Sequence, residues 1–119
     1  MSITIYHNPR CSKSRKTLEI IVESGIEPTI VEYLSSPPEA QTTLRLASLL
    51  AIPVADLLRR GEDDFKDAGD LPDLDDNEAL ATWIAAHPKV LQRPIVVNEK
   101  LGKAVIGRPP EIVLEILGK

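Results

Sequence analysis

A chain of 119 residues with one cysteine, Cys11, cannot close an internal disulfide, so its folding does not depend on oxidation. Any redox cycle at Cys11 must draw on a thiol from outside the chain. No apolar run approaches the ~20 residues needed to cross a bilayer, and Met1-Ser2-Ile3-Thr4-Ile5 lacks the basic-then-apolar order of a secretion signal. The expectation is a cytoplasmic protein with no membrane partner. An excess of positive charge is missing too: the formal net charge is -4, which gives no electrostatic case for nucleic-acid binding. Repeats and low-complexity stretches are also absent. Nine of the 18 acidic residues fall at positions 62–78, leaving the rest of the chain net positive. That stretch lacks the Asp-x-Asp-x-Asp-Gly order of a calcium loop, so it reads as a solvated acidic loop and no metal is expected.

What the chain does contain is enough apolar residue, 43%, to bury one core, and a single domain over residues 1–119 is expected. Residues 2–7 alternate Ile3 and Ile5 with Thr4 and Tyr6, the period of a strand. Asn8-Pro9 ends it, and from Ser12 the spacing of Leu18, Ile21 and Val22 becomes helical, with Gly25 as the stop. Residues 28–34 read as a second strand, parallel to the first because one helix joins them. Ser35-Ser36-Pro37-Pro38-Glu39 signals the start of another helix, and Pro53 opens a short one that ends at Arg59 and Arg60. Asp76-Asn77 begins a helix whose face is Leu80, Trp83, Ile84 and His87, ended by Pro88. Residues 94–98 and 103–107 read as a hairpin, and Pro109-Pro110-Glu111 opens a closing helix. The order predicts an α/β fold: a thioredoxin-like, four-stranded mixed sheet flanked by helices, with a helical insertion at about 37–91 between the βαβ and ββα halves.

Cys11 sits in Tyr6-His7-Asn8-Pro9-Arg10-Cys11-Ser12-Lys13-Ser14-Arg15, after a strand and at the mouth of a helix. A buried structural thiol belongs among apolar neighbours, whereas this one lies in a polar, basic turn. The unpaired N–H groups and partial positive charge of a helix N-terminus stabilise a thiolate, which makes Cys11 a candidate nucleophile. Three separated arginines stand at element boundaries: Arg59, Arg93 and Arg108. Arg93-Pro94 and Arg108-Pro109 each set a guanidinium beside a rigid proline turn next to a sheet edge, and the Arg-Pro bond before a strand, Arg93-Pro94, is one where the cis form is admissible.

The N-terminal Ile-Tyr-His-Asn-Pro-x-Cys-x-x-Ser-Arg pattern, Leu57-Leu58-Arg59, Arg93-Pro94-Ile95-Val96-Val97 and Arg108-Pro109 together resemble the glutaredoxin-coupled arsenate reductases, the ArsC family, along nearly the whole chain. The resemblance implies that Cys11 is the nucleophile, that Arg59, Arg93 and Arg108 bind the oxyanion, and that His7 and Ser14 stand near the thiolate. It also implies an oxidoreductase with arsenate as substrate, glutathione as co-substrate, glutaredoxin as partner and no bound cofactor. The chemistry agrees: arginine forks match a tetrahedral oxyanion in a way lysine cannot. A protonated His7 would favour the thiolate by charge. Lys13 stands where other members have a small neutral residue, and Gly107 where some place a second cysteine. Two other readings stay open. One is an Spx-like regulator that binds RNA polymerase, although Ser14 occupies the place of its second cysteine. The other is a monothiol glutathione-dependent oxidoreductase acting on another substrate.

Overall fold

The computed structural model of the protein describes residues 3–117, so Ser2, expected in the first strand, lies outside the described residues. The chain falls into two compact units, one running through Ser36 and resuming at Arg93, the other spanning Pro37–Gln92. The first unit contains strand β1 (Ile3–His7), helix α1 (Ser12–Glu23) and strand β2 (Thr29–Glu32), all as the periodicities predicted within a residue or two. Its later half contributes strands β3 (Ile95–Asn98) and β4 (Lys103–Ile106). Among the described residues they form one four-stranded mixed sheet in the order β2-β1-β3-β4. β1 and β2 run parallel with Thr4 opposite Thr29 and His7 opposite Glu32, whereas β3 is antiparallel to β1, pairing Tyr6 with Ile95. The β3–β4 hairpin is antiparallel and pairs Ile95 with Ile106.

Ile3, Ile5 and Val96 from the sheet, Ile21 from α1, and Val113, Ile116 and Leu117 from the C-terminal segment share one buried cluster. Removal of these side chains from water is the main force holding the unit together. α1 reverses at Gly25, whose φ of 83° suits a residue without a Cβ, and Ile26 N–H returns to the Ile21 carbonyl. β2 is shorter than the sequence suggested because Ser35 and Ser36 both donate back to the Glu32 carbonyl, closing a turn. The closing segment is a 3-10 helix, Pro110–Ile116, rather than the expected α-helix. Its buried side chains, Val113 and Ile116, stand three apart, the spacing that aligns side chains in a 3-10 helix. The Asn98 side chain ties the segment down by donating to the Ile116 carbonyl at 2.7 Å.

The second unit is helical. Helix α2 (Ala40–Leu50) has Glu39 at its N-cap position without a side-chain cap hydrogen bond, so Pro37 and Pro38 precede the helix instead of forming its first turn. The stretch after Pro53 is a 3-10 turn, Val54–Leu57, and Leu58 then leaves it in extended conformation to make an antiparallel bridge with Leu91. Arg59 therefore follows a bridge, not a helix end: its N–H donates to the Val90 carbonyl. The acidic stretch includes a short helix, α3 (Asp63–Lys66), where a loop was expected. Helix α4 (Asn77–Ala86) begins as predicted, with the Asp76 carboxylate accepting from Ala79 N–H at 3.1 Å. Leu80, Trp83 and Ile84 face the interior, and Trp83 N–H also reaches the Asp70 carboxylate. His87 is the C-cap residue of the helix and its ring stays against that face, stacked on Trp83 with centroids 4.5 Å apart, before a further 3-10 turn at Pro88–Val90.

Candidate active site

Because β1 ends at His7 and α1 starts at Ser12, the loop between them delivers Cys11 to the N-cap of α1 at the end of the sheet. The loop is closed by Cys11 N–H donating to the Asn8 carbonyl at 3.0 Å. Arg15 also donates to the Pro9 carbonyl at 2.9 Å, and Arg10 N–H to the Asn8 side chain at 2.9 Å. Asn8 is thus buried and structural, a role the sequence did not announce.

Burial alone would push the Cys11 thiol up, but hydrogen bonds to the sulfur from Ser14 N–H, the Arg93 guanidinium and Lys13 N–H outweigh it. The net effect is a pKa below the ordinary thiol value, so the thiolate is favoured. Burial likewise opposes the Arg93 cation, yet the facing Cys11 sulfur and the Tyr33 phenol hold its pKa above the usual guanidinium value. Tyr33, fully buried at the end of β2, is a site residue that sequence reasoning missed. Nothing in the local pattern distinguishes it from a core aromatic.

His7 and Ser14 also meet, with Nδ1 and Oγ 2.6 Å apart. Ser14 Oγ accepts from Asn8 N–H at 3.0 Å, and its own hydrogen has His7 Nδ1 as its partner. That assigns the ring proton to Nε2. Burial lowers the His7 pKa, opposed by Glu32 and reinforced by Arg15. The neutral ring fits this tautomer, so His7 orients Ser14 and the backbone of the loop rather than supplying a positive charge to the thiolate.

Both Arg-Pro bonds are cis, Arg93–Pro94 and Arg108–Pro109. The two corners are joined by Gly107 N–H donating to the Pro94 carbonyl at 2.8 Å and Arg108 Nε donating to the Arg93 carbonyl at 3.0 Å. Gly107 permits this approach: a Cβ there would lie 2.6 Å from Thr17 Oγ1 and 2.8 Å from Pro94 Cγ. A larger side chain at this point has no room unless Thr17 or Pro94 shifts. Cys11, Arg93, Arg108, His7 and Ser14 are thereby connected within the first unit through direct contacts. Arg59 belongs to the helical unit, where Nη1 lies 3.3 Å from Glu62 Oε1.

The chain matches the ArsC family over residues 6–116. It is 43% identical over 116 residues to an arsenate reductase of Escherichia coli, spanning 98% of this chain and 81% of that protein. It is 47% identical over 117 residues to the uncharacterized protein YfgD of Escherichia coli (strain K12), spanning 98% and 97%. Its fold is similar to that of an arsenate reductase from Vibrio cholerae, with a TM-score of 0.86, 42% identity and 98% of each chain covered.

Proposed function

We propose that this chain, which belongs to the ArsC family, is a cytoplasmic arsenate reductase that works with glutathione and glutaredoxin. One observation carries the reading: a thiol with lowered pKa is held by two backbone N–H groups and the Arg93 guanidinium, with Arg108 braced against the Arg93 carbonyl. A nucleophile among fixed cationic donors suits an oxyanion acceptor. The proposal extends the anion set to Arg59 through the motif correspondence alone.

In the proposed cycle the Cys11 thiolate attacks arsenic, an As–S bond forms, and one arsenate oxygen gains a proton and leaves as water. Arg93 and Arg108 offset the charge on the remaining oxygens. Since the chain has no second cysteine, glutathione attacks the arsenic of the adduct and displaces a second water. A glutaredoxin thiolate then attacks the glutathione sulfur. The new S–S bond takes up that sulfur, and the electron pair of the broken As–S bond stays on arsenic, reducing As(V) to As(III). Water finally displaces Cys11 and releases arsenite. Two thiols supply the two electrons and leave as a mixed disulfide. Dependence on reduced glutathione fits a cytoplasmic setting.

The test is NADPH oxidation coupled through glutathione reductase, glutaredoxin and glutathione. Arsenate-dependent turnover by the wild type and none by Cys11→Ser is expected. Turnover that persists in Cys11→Ser would refute the mechanism, and its absence in the wild type would refute arsenate as the acceptor.

A further inference from the structure

A cavity of about 320 Å³ opens beside the nucleophile loop, at the end of the sheet where β1 and β2 finish. That volume is at the small end of ligand sites, about 300–1,000 Å³. One wall is formed by His7 and the loop to Arg10, which directly precedes Cys11; the other by Glu32, Leu34 and Ser35. Arg93 and Arg108 do not line it, so it is distinct from the anion-binding side of the thiol.

The lining is specific in its chemistry. Arg10 and Glu32 place opposite charges around one space, and among the described residues neither side chain has an ion-pair partner. His7 lines the same space, and with Nδ1 committed to Ser14, Nε2–H is the ring's remaining donor. Leu34 adds a partly exposed apolar surface and Ser35 a hydroxyl. A simple anion would have no use for Glu32, and an apolar ligand would desolvate two charges without compensation. The arrangement suits a ligand with an ammonium and a carboxylate on one carbon, which is an amino-acid head.

We propose that this cavity seats glutathione for the resolving step, with the γ-glutamyl ammonium at Glu32 and its α-carboxylate at Arg10. The cysteinyl residue, next along the peptide, is then directed toward the loop that carries Cys11. The identity of the occupant rests on the functional reading above, whereas the seat rests on the cavity.

The experiment titrates the 15N-labelled full-length protein with S-methylglutathione, whose blocked thiol excludes exchange with Cys11. Saturable shifts of the Asn8, Arg10, Glu32 and Leu34 amides at millimolar ligand are expected. Glu32→Gln should weaken this ligand about two- to fivefold, the range of a solvent-accessible ion pair, and leave N-acetyl-S-methylglutathione unaffected. Shifts confined to the β3–β4 side of the loop, the absence of saturable shifts, or equal weakening of both ligands would overturn the proposal. No arsenate is present in the titration. Binding at the cavity by a protein inactive in the coupled assay therefore supports the seat and refutes arsenate reduction, while turnover without these shifts refutes the seat alone.

Discussion

Replacing Gly107 with alanine tests how the two arginine corners are held together. The added methyl carbon would stand 2.6 Å from Thr17 Oγ1, 2.8 Å from Pro94 Cγ and 3.2 Å from Thr17 Cγ2. Favourable carbon contacts lie at ~3.5–4.0 Å, so the gap must widen by about 1 Å. Thr17 cannot simply rotate away: it is fully buried, and its hydroxyl donates to the Lys13 carbonyl at 2.8 Å. Losing that bond would cost ~0.5–1.5 kcal/mol. Pro94 is restrained as well, because its carbonyl accepts from Gly107 N–H. The φ at Gly107 is not left-handed, so the penalty is steric and not conformational. Overpacking of this kind costs ~1–3 kcal/mol. We expect ~2 kcal/mol, read as a lower urea midpoint at unchanged m-value. Thr17→Ala removes two of the three contacts, so the double variant should lose at least ~0.5 kcal/mol less than the sum of the single variants. A loss below ~0.5 kcal/mol for Gly107→Ala, the range of inconsequential surface changes, or strict additivity, would refute the reasoning.

Arg93→Ala should weaken sulfate or arsenate binding by ~1.5–3 kcal/mol in calorimetry, the worth of a charge-assisted hydrogen bond. The same variant should move the thiolate titration of Cys11, followed by ultraviolet absorbance, to higher pH, because a donor to the sulfur is lost. An unchanged titration would remove Arg93 from thiolate stabilisation. For His7, the folded pKa lies below the unfolded ~6.5, so the unfolded chain binds the proton first as pH falls. Its contribution to stability is complete above ~6.5 and is lost as pH drops through the folded value. Urea midpoints on both sides of that pH should fall more steeply for the wild type than for His7→Asn. Asp76→Ala should destabilise the protein by ~1 kcal/mol through loss of the α4 cap, measured by the same unfolding assay.

The sheet unit was largely legible because its signals are local. Period-two alternation marks β1, the 3.6-residue spacing marks α1, and Arg93-Pro94 before its strand marks one of the two cis corners. The position of Cys11 at a helix N-cap followed from the same reading. The errors lie where distant segments decide the outcome. Leu58 leaves its helical turn to bridge Leu91, 33 residues later, and no periodicity around Arg59 records that pairing. The 3-10 character of Pro110–Ile116 was hidden because Ile112, Val113, Ile116 and Leu117 satisfy an α-helical pattern equally well. Tyr33 joins the site only through its approach to Arg93, a contact across the fold. His7 invited a cationic role by residue type, and burial determines its neutral one.

The donors around the Cys11 sulfur also bear on how the proposed cycle ends. A thiol of lowered pKa is intrinsically a weaker attacking group, with a Brønsted coefficient of about 0.4–0.5, but it departs more readily. The Ser14 and Lys13 N–H groups and the Arg93 guanidinium would serve the sulfur twice, first as it attacks arsenic and again when water expels it from As(III). Soft As(III) holds thiolates tightly, so departure is the step at which a lone cysteine risks being trapped by its own product. Good leaving-group character at Cys11 is then a safeguard against product inhibition, provided by the same donors that make the residue reactive.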